Sequence, residues 1–229
     1  MEGTSSKYLT NLSSTSCLAD PDVWFLPAKK PDNYEYYEYV LVYVDDVLVL
    51  SHQGETIMKE LEQYYRLKDG YAKPTQYLGA AVKEWTFPDD ATKPCWALSS
   101  EQYVKEAVKN IEKHLEGQQR TLRKSNQPMP TAYLPELNIT PLLQDDDIHF
   151  YQSQISILRW MVELGRLDIY VNVALLSSYL TAPRIGHLEA IYSIFGYLKS
   201  HTRSTMVFDI LTGMIRTLWN MIGQISMEM

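Results

Sequence analysis

From Tyr39 to Leu50 the chain is apolar on both sides of a single break. Tyr39-Val40-Leu41-Val42-Tyr43-Val44 lies before Asp45-Asp46, and Val47-Leu48-Val49-Leu50 follows it. β-branched and aromatic residues at this density read as two strands, so the pattern predicts a hairpin with paired carboxylates at its tip. Val23-Trp24-Phe25-Leu26 predicts a shorter strand, separated from the hairpin by a turn at Pro27–Asn33. Helical spacing then takes over. Within Glu55–Tyr65, Ile57, Leu61 and Tyr64 fall at i, i+4 and i+7, opposite a charged face. That stripe reads as packing against a sheet.

Gln76–Trp85 and Cys95–Leu98 predict a second hairpin around Pro88-Asp89-Asp90, whose acids read as a solvated loop. Ser99 followed by Gln102 has the spacing of a capping box, and Val104, Val108, Ile111 and Leu115 form the stripe of the helix it opens. Residues 117–150 are polar and Pro-containing and read as a linker, with Asp145-Asp146-Asp147 solvated. Three helices follow. The first spans 151–164 and stops at Gly165, and the second is capped by Asp168 and runs to about Leu180. The third spans His187–Lys199, with Leu188, Ile191, Phe195 and Leu198 inward. Arg159 and Glu163 are spaced for an i, i+4 ion pair, while His187 and His201 read as surface or capping groups.

The pattern gives an α+β chain in which an antiparallel sheet with packed helices leads into a mainly helical region. The divisions are 1–116, a linker at 117–150, a helical region at 151–209 and an unassigned tail at 210–229.

Asp45 and Asp46 carry the chemistry of interest. Burying uncompensated carboxylates costs several kcal/mol, so an apolar frame around two of them calls for a cation or hydrogen-bond donors. Carboxylate oxygens are hard ligands that suit Mg²⁺ or Mn²⁺, and two on a rigid turn suit metal-assisted phosphoryl transfer. Asp-Asp is equally ordinary chemistry for a solvated turn. Asp20, Asp22 and Asp32 are the other aspartates upstream of Asp45.

The string around the pair narrows the choice. Ala19-Asp20-Pro21-Asp22-Val23-Trp24 and Tyr36-Tyr37-Glu38 through Tyr43-Val44-Asp45-Asp46 resemble the polymerase of copia-type long-terminal-repeat retrotransposons, a reverse transcriptase family. Tyr77-Leu78-Gly79, Leu98–Tyr103, Tyr151–Ser153, Arg159–Arg166, Pro183–Leu188 and Gly196–Lys199 follow in the family's order. The resemblance runs from about residue 8 to about residue 209. It implies a truncated reverse-transcriptase palm, an RNA-directed DNA polymerase origin, and Asp45 and Asp46 as catalytic metal ligands for Mg²⁺ or Mn²⁺. Tyr43, Val44, Tyr77, Leu78 and Gly79 would lie near nucleotide or primer, with RNA or DNA template-primer and dNTP as partners. The family holds its metals with three carboxylates. The motif bearing the first is absent here, as are the fingers and the ribonuclease H domain, and Asp20, Asp22 and Asp32 match other segments. The expectation is therefore a piece of an enzyme, inactive alone. The alternative is a non-enzymatic retrotransposon remnant that at most binds a protein or nucleic acid.

Composition limits the partners. With 45% hydrophobic residues in 229, the chain can bury a core. A formal charge of −7 opposes phosphate binding, so weak or no nucleic-acid binding is expected of this piece, and Arg120, Arg123 and Lys124 read as a solvated loop. Cys17 and Cys95 are too isolated for a disulfide framework or a metal site. Without a secretory signal or a run near the ~20 apolar residues of a membrane span, an intracellular location and no membrane contact are expected.

Overall fold

A computed structural model describes residues 14–43, 46–64, 70–87, 90–209 and 214–218. The chain divides into two units, Met1–Leu78 and Gly79–Met229. Among the described residues they carry two antiparallel sheets and five helices, an α+β architecture.

The first unit is built on strands β1 (Thr15–Ser16), β2 (Val23–Lys29), β3 (Glu35–Tyr43) and β4 (Asp46–Leu50), side by side in that order. The predicted hairpin is β3–β4, with Val40 opposite Val49 and Tyr43 opposite Asp46. β2 runs three residues past the expected Leu26, through Pro27 opposite Tyr37 to Lys29 opposite Glu35. The turn is consequently tighter than expected. Asn33 takes φ 63°, its N–H bonds the Lys30 carbonyl, and the Asp32 carboxylate accepts the Tyr34 N–H.

Pleating separates the two faces of this sheet. Trp24 and Val40 turn toward helix α1 (Gly54–Glu62) and bury with its Ile57 and Leu61. Tyr64, which the helical stripe assigns to the core, lies beyond the end of α1 and is 46% exposed. The opposite face carries Tyr37, Tyr39 and Tyr43, all exposed, with Phe25 edge-on to Tyr37 at 5.6 Å. The short strand β5 (Gln76–Tyr77) lies near the end of this unit.

In the second unit, the expected hairpin appears as β6 (Ala80–Phe87) and β7 (Asp90–Ser99), with a bulge between Trp85 and Phe87. β8 (Thr205–Asp209) lies along the far edge of β7, with Ser99 opposite Thr205, and β9 (Met214–Leu218) pairs with β8. The expected helical region to 209 therefore ends in a strand. Five residues carry too little periodicity to announce one whose partner is far away in sequence.

Helices α2 (Glu101–Gly117), α3 (Asp145–Glu163), α4 (Tyr170–Ser177) and α5 (Ile185–Ser200) complete the unit. Val104, Val108, Ile111 and Leu115 of α2 meet Ile155 and Leu158 of α3 and Leu188, Ile191, Phe195 and Leu198 of α5 in one core. The α2 capping box does not form. Ser99 Oγ accepts the Glu101 N–H at 3.4 Å, whereas the Gln102 amide turns along the helix to Glu106 at 2.8 Å.

α3 begins at Asp145, six residues before the expected Tyr151. Asp145, Asp146 and Asp147 form its first turn, where carboxylates meet the positive end of the helix dipole. At its other end Gly165, at φ 94°, closes a Schellman turn. Its N–H bonds the Val162 carbonyl and the Arg166 N–H bonds the Met161 carbonyl.

Residues 117–144 are not a free linker, because Leu122, Met129 and Leu143 are buried in the helical core. Polar contacts fasten the rest to α5. Arg184 donates to the Thr140 carbonyl, Tyr133 donates to the Gly186 carbonyl, and Gly186 N–H donates to Thr140 Oγ1.

Candidate functional site

Tyr43 and Asp46 face each other as the last pair of the β3–β4 ladder, and both are exposed. Val44 and Asp45 lie outside the described residues. The turn at Asp20–Asp22 is fastened to this same end of the sheet. Asp20 Oδ1 accepts the Asp22 N–H at 3.0 Å, the Asp20 carbonyl accepts the Val23 N–H at 3.1 Å, and the Asp22 carbonyl accepts the Val42 N–H at 2.9 Å. The Val23–Leu41 pairing thereby places an aspartate-bearing turn beside the strand that ends at Tyr43.

Tyr77 registers the result. Burial pushes its phenol above the ordinary range, and the negative charges of Asp46 and then Asp20 push it the same way. The Tyr77 phenol thus lies within reach of the negative charge of both Asp46 and Asp20. Local sequence gave no sign that Asp20 belongs here, since its approach depends on the β2–β3 register rather than on neighbouring residues.

Leu78 and Gly79, the other expected site residues, adopt φ 50° and φ 86°. Such a backbone requires glycine more readily than a ligand does. A Cβ at Gly79 would meet the Tyr103 ring at an ordinary 3.5 Å, so conformation and not crowding explains this glycine.

Among the described residues, no group of three or more His, Cys, Asp or Glu is arranged to hold a metal ion. Asp46 and Asp20 are the described carboxylates whose charges reach Tyr77, and their oxygens are hard donors. Mg²⁺ keeps several waters and is commonly bound through one or two carboxylates together with substrate phosphates. Carboxylate oxygens are of the type that suits a hard divalent ion such as Mg²⁺ or Mn²⁺.

No protein-family model and no solved structure matches the chain. A transposon Ty5-1 protein of Saccharomyces cerevisiae is 31% identical over 170 residues, covering 72% of this chain and 50% of that protein. The chain is related to a retrotransposon protein. It spans about half the length of that relative. No described helix is long and apolar enough to cross a membrane.

In this retrotransposon-related chain the Arg159–Arg166 segment proves structural, and differently from expectation. Among the described residues Arg159 and Glu163 form no ion pair; the working cation is Arg166. Its guanidinium grips Asp168 through two bonds of 3.0 and 2.7 Å and donates to the His201 carbonyl at 2.7 Å. Asp168 is therefore committed to Arg166 and does not cap α4, whose N-cap position is Ile169 and carries no side-chain cap.

His187 is buried rather than on the surface, and the capping role holds. Nδ1 accepts the Arg184 N–H at 3.1 Å and Nε2 meets the Pro135 carbonyl at 3.0 Å. These partners fix the neutral ring with its proton on Nε2. His201 Nδ1 lies 3.0 Å from the Tyr197 carbonyl, and its ring stacks on Tyr197.

Proposed function

We propose that the chain is part of a retrotransposon RNA-directed DNA polymerase and carries the hairpin of its palm. Tyr43-Val44-Asp45-Asp46 would stand where template-primer and dNTP meet. One observation supports this most directly: Asp46 opens a strand paired with Tyr43, in a chain 31% identical to a transposon protein over 170 residues. Asp45 and Asp46 would hold Mg²⁺ or Mn²⁺, with Asp20 contributing negative charge at the same end of the sheet. The metal, when bound, supplies charge stabilisation for phosphoryl transfer. Tyr43 and Val44 would flank the primer end. Tyr77, kept protonated, would offer an O–H to an oxygen held near Asp46.

A second reading rests on the exposure of Asp46 at the hairpin end, which is ordinary chemistry for a solvated turn. By that account the hairpin is inherited and idle, and the chain is a remnant without polymerase activity.

Calorimetric titration with Mn²⁺ separates the two. The full chain is expected to give a saturable heat that the Asp45→Asn/Asp46→Asn variant loses, with unchanged circular dichroism in both. Identical heats would discard the metal-site proposal and leave the remnant.

A further inference from the structure

Between α2 and α3 the chain lines a cavity of about 570 Å³ with residues 119–125, faced by Glu189 and Tyr192 of α5. Arg120, Arg123 and Lys124 bring three cations to its wall against the single carboxylate of Glu189. This wall is positive on a chain of net charge −7.

The segment is fixed in place, contrary to the solvated loop that its composition indicates. Gln119, at φ 58°, closes α2 with a Schellman turn in which the Arg120 N–H bonds the Leu115 carbonyl at 2.8 Å. Leu122 is buried, and its carbonyl accepts from Lys199 Nζ at 3.2 Å. Ser125 N–H bonds the Gly196 carbonyl at 3.1 Å. Arg120 is locked to Glu189 at 2.7 Å, with its guanidinium 5.3 Å from the Tyr192 ring centroid.

Donors are left over. Among the described residues, Arg123 and Lys124 form no ion pair, and the N–H groups of Thr121, Leu122, Arg123 and Lys124 have no intramolecular acceptor. Unbonded amides beside two cations that form no ion pair among the described residues, on a backbone held at Leu122 and Ser125, supply donors that an oxyanion can use. Because the scaffold is pre-formed, a ligand would not have to order it.

We propose that this cavity binds a phosphate group, using the Arg123 and Lys124 side chains and the amides of 121–124. The inference is independent of the hairpin and stands whether or not Asp45 and Asp46 hold a metal. A free phosphate ion and a phosphodiester of a nucleic-acid strand share the required chemistry.

The test is a titration of the ¹⁵N-labelled full chain with inorganic phosphate, holding ionic strength constant with chloride. Saturable shifts are expected at the amides of 119–125, and the Arg123→Ala/Lys124→Ala variant should bind at least about tenfold more weakly. Both side chains are exposed, so the variant should melt like the parent. As a charge control, Lys109→Ala/Lys113→Ala, on the exposed side of α2, should bind like the parent. A second titration uses a short single-stranded oligonucleotide. Shifts at the same amides would identify a strand phosphodiester as the ligand, and shifts with inorganic phosphate alone would identify a small phosphate. Shifts scattered over the surface, or equal weakening in both variants, would overturn the proposal.

Discussion

Arg166 is 1% exposed, and among the described residues Asp168 is its carboxylate partner. Such a pair is weak evidence of net stability, because desolvation consumes much of its attraction. Removing one member is another matter. Asp168→Ala should cost about 3–5 kcal/mol in urea unfolding, since the guanidinium stays buried without its counter-charge. Arg166→Met/Asp168→Ala should cost clearly less, because neither charge then remains. If the double variant is as unstable as the single, the charge argument fails and packing around Arg166 is the cause. Sequence spacing points instead to Arg159 and Glu163, a helix-surface pair at i, i+4. It cannot reveal that residue 166 turns inward just past a Schellman glycine. The histidines repeat the lesson, because His187 is legible as a cap, while its burial against Pro135 depends on the path of a distant segment.

At the level of elements, Gly196 shows why α5 tolerates a glycine in its middle. A Cβ there would collide with the carbonyl oxygen of Arg123, a backbone atom with little freedom to retreat. Gly196→Ala should gain helix propensity yet destabilise the protein by about 1–3 kcal/mol through overpacking. A raised unfolding midpoint would show that the 123–125 segment yields. It should also disturb the amides of that segment selectively in a ¹H–¹⁵N spectrum. The elements legible in sequence are those with sustained periodicity: β3 and β4 by their β-branched runs, α2 and α5 by stripes that recur every three or four residues. The start of α3 escaped detection because Asp145-Asp146-Asp147 has the composition of a solvated loop and the placement of a helix N-terminus. Pattern alone does not distinguish those two. β8 escaped for the opposite reason, being too short to have a pattern.

The two units differ in how much they bury. In the first, Trp24, Val40, Ile57 and Leu61 are the buried hydrophobic residues among those described, whereas the helical core of the second draws on α2, α3, α4 and α5. Each fully buried aliphatic or aromatic side chain contributes about 1.5–3 kcal/mol, so the second unit should hold the more stable structure. Native-state hydrogen exchange should find the slowest amides in α2, α3 and α5, with those of β2–β4 at least about tenfold faster. Equal protection in both would mean that they unfold as one. Of the candidate site, Asp46 lies at the hairpin end of β4 as the apolar pattern predicts, opposite Tyr43, whereas Asp45 lies outside the described residues. Asp20 is not legible as a neighbour of Tyr77, because only folding brings its charge within reach of that phenol. The pairing of Ser99 with Thr205 has a further consequence during synthesis. Strand β7 leaves the ribosome roughly a hundred residues ahead of β8, on the order of ten seconds at ordinary elongation rates. Throughout that interval one side of β7 is open to any other nascent strand, so the order of translation exposes this edge to mispairing that the finished fold conceals.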